Sequence, residues 1–367
     1  MSHPPLYEQL YTYIANAIAQ GKLTPGDRVP SENELAEQFK VSRITSKAAL
    51  EKLYRDGLIE RKRGKGSFVS LKLTATPGGV KPVNATPRIL GVVMPDFAEV
   101  FGLKLLYSIE SQAAQRNAYL MFKRTYGSQD EEEKAIRALL QLGVSGLIVF
   151  PVHGDYYNQE LLRIVLSGFP VVLVDRYLKG IPASTVSTDN ARASQQLTAY
   201  LLTRGHRHIA FISPPSENTS SIEDRIQGYR DALAAHGVAL NPAYLMNRLQ
   251  SPLPLALNLE HVSSDFKTLH TFINDHPALT AIVASEYNAA LLAWQVTQAL
   301  HRDLEITCFD SPETLFIPSL FTHIQQNEAL MGSTAVDMLM THIEQRCDPM
   351  NEVIGFDLVK VGDVPIP

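Results

Sequence analysis

Residues 31–69 read SENELAEQFKVSRITSKAALEKLYRDGLIERKRGKGSFV and decide the fold of the first part of the chain. Ser31 and Glu34 stand three residues apart just before apolar residues, which is the spacing of a helix capping box. Ser42 is a second N-cap candidate after a very short connection, so two short helices are joined by a tight turn. The second of these helices is expected to bury one broad face, formed by Ile44, Ala48, Leu50, Leu53 and Tyr54.

The segment 58–69 predicts a β-hairpin with a basic turn that contains two glycines. Glycine lets the backbone approach a duplex closely, and cations beside it suit phosphate or minor-groove contact. In a helix-turn-helix the second helix enters the major groove with its N-terminal residues near the base edges. Residues 1–70 are therefore predicted to form a winged helix-turn-helix, an α+β unit that opens with an amphipathic helix between Leu6 and Leu23.

The distribution of charge along the 367 residues supports this division. The net charge is −5, which alone argues against nucleic acid, but residues 1–70 carry 11 Lys and Arg against 8 Asp and Glu. A mildly basic head on an acidic body suits a DNA-binding module attached to a unit that stays off DNA. The two cysteines, Cys308 and Cys347, give no disulfide framework. No signal peptide and no run of 18 apolar residues is found, so we expect a cytoplasmic protein without a membrane partner.

Beyond the head, residues 71–87 are rich in proline, glycine and threonine and predict a linker. After Arg88, short apolar runs alternate with amphipathic stretches, which predicts buried parallel strands between helices. The predicted strands are Ile89–Met94, Ala118–Phe122, Gly146–Phe150, Val171–Val174, Thr185–Ser187, His208–Ile212, Ala281–Ala284 and Glu305–Phe309. The fold class is α/β overall, and about 280 residues favour two lobes, with ligands at the carboxyl ends of the strands.

The head resembles the winged helix-turn-helix of GntR-type regulators. The runs that carry the resemblance are Pro5–Leu10, Gly21–Leu23, Pro25–Arg28, Pro30–Glu32, Glu34–Ala36, Val41–Arg43, Ala49–Leu50, Gly57–Ile59 and Gly64–Val69. The resemblance implies DNA contacts from Arg28, Ser31, Asn33, Ser42, Arg43, Thr45, Ser46, Lys47, Lys62, Arg63, Lys65 and Gly66. For Arg28 and Lys62, a solvated surface charge is the alternative.

The body resembles the sugar-binding domain of LacI/GalR regulators, which is similar to periplasmic binding proteins. The matching runs are Ile89–Val93, Gly143–Ile148, Pro170–Arg176, Val186–Asn190, Gly205–Ile212, Arg225–Tyr229 and Ile324–Gln326. The combination resembles the arabinose-repressor architecture, from which the sugar itself does not follow. The resemblance implies a two-lobed, doubly wound parallel α/β domain over 88–367. Lobe 1 would hold about 88–188 and 327–351, and lobe 2 about 189–325 and 352–367.

By this resemblance, the cleft between the lobes binds a sugar or sugar derivative. Its hydroxyls need carboxylates and guanidinium groups, and its C–H face needs an aromatic ring. The expected effector contacts are Asp96, Phe97, Tyr126, His153, Tyr156, Asp175, Arg176, Arg225, Ser285, Glu286, Asp310 and Gln326. For Asp175 and Arg176 mutual pairing is the alternative, and for His153 and Tyr156 the alternative is a loop position without ligand contact.

The function predicted from the sequence is a DNA-binding transcription regulator. A homodimer would bind a pseudo-palindromic operator, and a sugar would release the repressor. The competing class is an enzyme acting on a sugar-like metabolite with an accessory DNA-binding head. No dinucleotide fingerprint, phosphate loop or nucleophile elbow is present. His206 and His208 could suggest a metal, but they precede a buried strand and a structural role is favoured. We therefore expect no catalytic residues, no metal and no cofactor.

Overall fold

The computed structural model describes residues 5–19, 22–62, 65–70, 87–152, 157–251, 259–312, 319–345 and 347–361. The chain divides into two compact units, Met1–Thr86 and Pro87–Pro367. Apart from Pro87, the expected linker lies outside the described residues. Among the helices that are described, none is both long and apolar enough to cross a bilayer.

The first unit packs helices against a small antiparallel sheet. Its described elements are α1 (Leu6–Ala19), β1 (Arg28–Val29), α2 (Glu32–Phe39), α3 (Arg43–Arg55), β2 (Ile59–Lys62) and β3 (Gly66–Val69). Strand β3 lies between β1 and β2 and is antiparallel to both. Leu10, Ile14, Leu35 and Leu53 meet in its core. The predicted winged helix-turn-helix is confirmed.

The predicted caps set the ends of the two central helices. The backbone N–H of Glu34 donates to Ser31 Oγ at 3.3 Å, and the N–H of Ser31 donates to Glu34 Oε2 at 2.6 Å. Helix α2 ends at Lys40, which takes the left-handed conformation with φ 50°. Ser42 Oγ then accepts from the N–H of Thr45 at 3.1 Å and opens α3. These caps satisfy orphan backbone donors and fix the tight turn between the helices.

The buried face of α3 differs from the sequence prediction at three positions, and one of them, Ala48, is half-buried. Ile44 is 80% exposed and Tyr54 is 54% exposed, so placing them in the core was wrong. The buried positions are Ser46, Ala49, Leu50 and Leu53. Their spacing of three, one and three residues keeps them on a single helical stripe, and Ile44 and Tyr54 fall outside it.

The second unit contains two parallel sheets, each flanked by helices. Its elements are β4 (Arg88–Met94), α4 (Leu103–Gln115), β5 (Ala118–Arg124), α5 (Gln129–Gln141), β6 (Gly146–Val149), α6 (Gln159–Leu166), β7 (Val171–Val174), β8 (Ser184–Thr188), α7 (Asn190–Thr203), β9 (Ile209–Ser213), α8 (Ser220–Ala235), β10 (Leu245–Asn247), α9 (Leu259–Asp275), β11 (Ala281–Ala284), α10 (Tyr287–Ala299), β12 (Glu305–Phe309), β13 (Thr322–Gln326), α11 (Glu328–Glu344), β14 (Asn351–Ile354) and β15 (Phe356–Val359). The first sheet has the order β14-β8-β7-β6-β4-β5 and the second β10-β9-β11-β12-β13-β15. Only β15 runs antiparallel to its neighbour among these described strands.

Both faces of each sheet are covered. On β4, Leu90, Val92 and Met94 point into one apolar cluster, and Val93 points into another on the opposite face. The strands of a doubly wound sheet are buried on both sides and appear as continuous apolar runs. All eight predicted strands are present, with ends that differ by a few residues.

The chain passes between the lobes three times. It leaves the first sheet after β8, returns between β13 and α11, and leaves again between β14 and β15. The last crossing corrects the expected lobe boundary. Strand β14 pairs with β8 through Ile354, so the first lobe extends beyond residue 351 and the change of lobe falls at Gly355.

Gly228 permits the close approach of α7 and α8. A Cβ at this position would clash with the carbonyl oxygen of Ala191 and lie 2.9 Å from the backbone nitrogen of Gln195. We predict that Gly228→Ala lowers the thermal unfolding midpoint, because overpacking costs about 1–3 kcal/mol. Gly355→Ala is the matched control, since an added Cβ there meets nothing within 4 Å. Circular dichroism measures the unfolding midpoints. Equal midpoints for the two variants would contradict this packing.

Candidate functional site

A cavity of about 290 Å³ lies between the two lobes of the second unit, where the carboxyl ends of parallel strands from both sheets converge. It contains side chains that follow β4, β7, β11 and β12, together with the start of α8. The predicted effector contacts that line it are Asp96, Phe97, Asp175, Arg176, Arg225, Ser285, Glu286, Asp310 and Gln326.

Arg225 is buried at the floor of this cavity and holds three elements together. Its Nε donates to Asn190 Oδ1 at 2.7 Å, and its Nη1 donates to the carbonyl of Ser285 at 2.6 Å. Its guanidinium carbon lies 3.8 Å from the ring centroid of Phe309. Stacking on an aromatic face leaves the planar fork free to form directed hydrogen bonds. Arg225 thus fixes the positions of α7, β12 and the turn after β11.

Two carboxylates occupy equivalent places in the two lobes. Asp175 follows β7 with φ 66°, and Asp310 follows β12 with φ 61°. Both residues donate their N–H to the neighbouring strand, to Val186 and Ile324 respectively. Such left-handed conformations of non-glycine residues are strained and cluster at functional sites. Asp310 Oδ2 also accepts from Gln326 Nε2 at 2.9 Å.

Asp175 and Arg176 were expected either to contact the ligand or to pair with each other, and their positions are compatible with both. Arg176 Nε lies 3.5 Å from Asp175 Oδ2, and both residues line the cavity. Arg176 Nη1 donates to the carbonyl of Pro151 at 3.1 Å, and its guanidinium lies 5.0 Å from the ring of Phe150. Arg176 Nη1 is thus held by the protein, whereas Nε is buried without a hydrogen-bond partner.

Burial changes the acid–base behaviour of the carboxyl groups. It raises the pKa of Glu286 to about 8, opposed by the charges of Arg225 and Arg176. It raises the pKa of Asp310 to about 7, opposed by Arg225 and by the hydrogen bond from Gln326. Burial disfavours the charged form of an acid, whereas hydrogen bonds donated to the carboxylate favour it. A ligand that donates hydrogen bonds would therefore favour ionisation of both groups.

Aromatic side chains from the first lobe supply the apolar part of the lining. Phe97, Phe101 and Phe150 all border the cavity. The rings of Phe101 and Phe150 meet edge to face, with centroids 6.1 Å apart. A mostly apolar wall with a few directed polar groups is typical of small-molecule sites.

One predicted contact lies away from the cavity, and two others are outside the described residues. Tyr126 is absent from the described lining; it is 39% exposed and stacks on Arg124, whose guanidinium carbon lies 4.1 Å from its ring. The sequence predicts it in the cleft because it follows β5, but β5 is the outermost strand of its sheet. His153 and Tyr156 lie outside the described residues.

Other lining residues were missed by the sequence reasoning. They are Pro95, Ala98, Val100, Phe101, Phe150, Pro214, Ser221, Ile222, Ser251, Tyr287 and Asn288. Ser221 could have been found, because it lies four residues before Arg225 and hence on the same face of α8. The position of Ser251 depends on the path of the chain after β10, which no local sequence pattern indicates.

A second set of contacts joins the lobes beside the cavity. Tyr177 follows β7 and donates its hydroxyl to Asp224 of α8 at 3.0 Å. Lys179 forms an ion pair with Glu223 of the same helix. In the sequence, Tyr177 directly follows Arg176 and Asp224 directly precedes Arg225. Both arginines line the cavity. These contacts hold the lobes at the edge of the cavity.

In the first unit, the start of α3 presents polar side chains to solvent. The side chain of Arg43 is 71% exposed and its Nε lies 3.3 Å from Glu32 Oε2. Lys47 and Asn33 are exposed, and Thr45 is partly exposed. An exposed cation at this position of a helix-turn-helix can reach base edges or phosphates.

Ser46 is a correction to the predicted DNA contacts. Its side chain is fully buried, and its hydroxyl donates to the carbonyls of Glu32 at 2.8 Å and Arg43 at 3.0 Å. It joins α2 to α3 and cannot face a duplex. The hydroxyl groups of Ser31 and Ser42 act as the N-caps of α2 and α3, so these two side chains are engaged in helix capping.

The hairpin carries the remaining predicted contacts. Gly66 has φ 108°, and a Cβ there would lie 3.5 Å from Arg28 Nε. Arg28, Lys62 and Lys65 are exposed. Lys62 pairs with Glu60 at 3.1 Å and lies over the ring of Phe68. Arg63 lies outside the described residues.

The histidines before β9 have a structural role. His206 bonds Thr280 at 2.9 Å and Glu305 at 2.8 Å, which ties the start of β9 to its neighbours. Over the described ranges, no group of three or more His, Cys, Asp or Glu side chains could hold a metal ion.

Two known protein families together match nearly the whole chain. Residues 6–69 match the family described as bacterial regulatory proteins of the gntR family. Residues 88–360 match the family of periplasmic binding proteins and the sugar-binding domain of the LacI family. The second match covers well over half of the chain.

Individual proteins resemble the chain along most of its length. The arabinose metabolism transcriptional repressor of Geobacillus stearothermophilus is 25% identical over 362 residues, which are 95% of this chain and 94% of the repressor. The probable HTH-type transcriptional regulator EndR of Paenibacillus polymyxa is 24% identical and covers 87% of this chain and 92% of its own.

Solved structures share the fold. The CelR–cellobiose complex has a TM-score of 0.64 at 20% identity, and covers 92% of this chain and all of its own. The Cra regulator of Pseudomonas putida in complex with fructose 1-phosphate has a TM-score of 0.63 at 22% identity, over 75% of this chain and 99% of its own.

The buried acids of the cavity predict a pH dependence of stability. Because the folded pKa of Glu286 lies above its ordinary value, the folded chain retains a proton that the unfolded chain loses. Its contribution to stability is therefore fully present below about pH 4.5 and is lost as the pH rises through about 8, at about 1.4 kcal/mol per pKa unit.

Glu286→Gln removes this proton-binding site, so its thermal unfolding midpoint should fall less than that of the wild type between pH 5 and pH 8.5. Glu352→Gln, at an exposed position on β14, should follow the wild type. Identical pH profiles of Glu286→Gln and the wild type would show that Glu286 is not buried in this way.

Proposed function

Because the chain belongs to the family of periplasmic binding proteins and sugar-binding domains of LacI regulators, we propose that it is a DNA-binding transcription regulator controlled by a sugar in the cavity of its second unit. The observation that carries this proposal is the joining, in one chain, of a gntR-type head at 6–69 to a LacI-type sugar-binding unit at 88–360. The family descriptions and the names of the relatives are those of regulators and not of enzymes. By analogy with the named repressors, the sugar releases the protein from its operator.

Each part of the chain has its own role in this proposal. Residues 1–70 read the operator, 71–87 act as the linker, and 88–367 bind the effector. The first lobe comprises about 88–188 with 327–354, and the second about 189–325 with the residues from 356 onward. The position of β14 in the first sheet supports the later boundary.

In this proposal, the start of α3 and the hairpin recognise the operator. Arg43, Thr45 and Lys47 face the major groove, and the hairpin around Lys65 and Gly66 contacts phosphates or the minor groove. The exposed side chain of Ile44 lies among the major-groove residues, where an apolar group suits the methyl of thymine. The high exposure of Ile44 supports this role, because core packing does not account for the residue.

A homodimer would place two heads on a pseudo-palindromic operator. Exposed tyrosines at one edge of the first lobe support it. Tyr107 of α4 is 63% exposed, and Tyr119 of β5 is 66% exposed. Strand β5 is also a sheet edge. Aromatic residues are enriched at interfaces, so this edge is the proposed dimer contact.

Effector binding would act by shifting the equilibrium between lobe arrangements. A coupling of about 1–3 kcal/mol changes operator affinity about 5- to 150-fold. The contacts of Tyr177 and Lys179 with α8 lie beside the cavity and would respond to any change in the angle between the lobes. They support a route from the cavity to the rest of the second unit.

The first prediction from this proposal concerns Arg43. Arg43→Ala should weaken binding to a duplex selected by the full chain from a random pool, by about 1–3 kcal/mol at fixed salt. Lys22→Ala removes an equal charge outside the two central helices and should change affinity much less. Fluorescence anisotropy measures both. Equal affinities of Arg43→Ala and the wild type would mean that α3 does not read the operator.

The second prediction concerns Arg225. Arg225→Lys keeps the buried charge but loses the planar fork, so sugar binding and sugar-dependent release should be lost while operator binding remains. Arg230→Lys, at an exposed position on the same helix, is the control. A normal response to sugar in Arg225→Lys would show that Arg225 is not part of the binding site. Retained folding is checked by the unfolding midpoint.

A further inference from the structure

Cys347, His342 and Ser184 form a cluster at the edge of the first lobe that lies away from the cavity. The thiol sulfur of Cys347 lies 3.0 Å from His342 Nδ1, and His342 Nε2 lies 2.7 Å from Ser184 Oγ. Cys347 is exposed, and Ser184 is buried. The cluster therefore runs from a solvent-accessible nucleophile, through a base, to a buried group that orients the base. This is the arrangement of an activated nucleophile.

The backbone of β8 and β14 fixes the orienting hydroxyl group. Ser184 begins β8, and its Oγ accepts from the backbone N–H of Met350 at 3.0 Å. The N–H of Thr185 donates in turn to the Met350 carbonyl at 2.9 Å. A hydroxyl oxygen has two lone pairs, so it can accept from Met350 and from His342 Nε2 together. When Nε2 carries the proton of the neutral imidazole, Nδ1 is the acceptor that faces the thiol.

His342 can take the thiol proton without any change of contacts. Burial lowers its pKa, so the imidazole is neutral at about pH 7 and available as a base. After the transfer, Nδ1 donates to the sulfur, and Nε2 keeps its bond to Ser184. His342 lies in the last turn of α11, where the partial negative charge of the helix C-terminus favours the imidazolium. Glu344 of the same turn is paired with Arg88 at 2.8 Å, so its charge is already balanced.

The other cysteine of the chain is not placed to form a disulfide with Cys347. Cys308 is fully buried on β12 in the second lobe, and its thiol donates to the Asp310 carbonyl at 3.4 Å. The chain has only these two cysteines. An oxidised Cys347 therefore takes its partner sulfur from another molecule. A small disulfide supplies that sulfur by exchange, which needs no separate oxidant.

We propose that Cys347 is a reactive thiol, activated by His342, that is reversibly modified by low-molecular-weight disulfides. The sulfur of Cys347 attacks one sulfur of the reagent as its proton passes to His342 Nδ1. A new S–S bond forms to Cys347, the S–S bond of the reagent breaks, and the leaving thiolate takes the proton from His342. Cys347 is oxidised, and the released half of the reagent is reduced to a thiol. Excess thiol reverses the exchange.

This modification site is separate from the cavity. The side chains of the cavity follow the carboxyl ends of the strands, as Asp175 does after β7, whereas Ser184 is the first residue of the parallel strand β8. Neither Cys347, His342 nor Ser184 is among the described residues that line the cavity. Reaction at Cys347 therefore requires no ligand there and is measured on the chain without sugar.

The test is the rate at which the full chain forms a mixed disulfide with oxidised glutathione, followed by mass spectrometry of the intact chain and of its peptides. We expect the adduct on Cys347 and none on Cys308 while the chain is folded. An unassisted cysteine is only a few per cent thiolate at about pH 7, so His342→Gln should slow the reaction by about 10-fold or more. His301→Gln, at an exposed histidine of the second lobe, should react at the wild-type rate.

A second pH separates activation of the thiol from access to it. At about pH 10, above the ordinary pKa of a cysteine, the thiol ionises without a base, so His342→Gln and the wild type should react at the same rate. A deficit that persists at this pH would show that His342 controls only access. Equal rates at about pH 7 would show that it does not activate the thiol. Either result would overturn the proposal, as would the absence of an adduct on Cys347 or the formation of disulfide-linked dimers in its place. Unfolding midpoints check that the variants are folded.

Discussion

The buried guanidinium of Arg225 is the interaction on which the cavity depends. It bonds Asn190 of α7 and the Ser285 carbonyl after β11, and it stacks on Phe309 of β12. Without it, the acids that face it would be buried with less compensating charge, which is strongly unfavourable. The same contacts use its Nε and Nη1 inside the protein.

The crossing between β13 and α11 links this cavity to the first lobe. Gln326 bonds Asp310 in the cavity, and two residues later Glu328 accepts from the N–H groups of Gly102 and Leu105 at the start of α4. Helices α4 and α11 also pack closely, since a Cβ on Gly332 would lie 2.7 Å from the Leu105 carbonyl oxygen. These contacts connect Asp310 to α4, which carries Tyr107 of the proposed dimer contact.

Local patterns predicted the architecture well, because caps and strand alternation are set by neighbouring residues. Ser31 with Glu34 marked α2 correctly. Residues whose role depends on a distant partner were harder to place. Ile44 belongs to an apolar pattern, but the core contacts of α3 begin at Ser46, whose hydroxyl bonds α2. In the cavity, polar residues at strand ends were found by position, whereas Phe150 and Ser251 depend on loop paths that periodicity does not report. Tyr126 was misplaced because its strand lies at the sheet edge.

In the proposed function, occupancy of the cavity by a sugar changes the affinity of the head for DNA. The most direct measurement is the affinity of the wild-type chain for its selected operator, with and without a saturating concentration of the sugar that it binds. We expect operator affinity to change about 5- to 150-fold. Unchanged operator affinity at full occupancy, established by calorimetry on the same preparation, would contradict it.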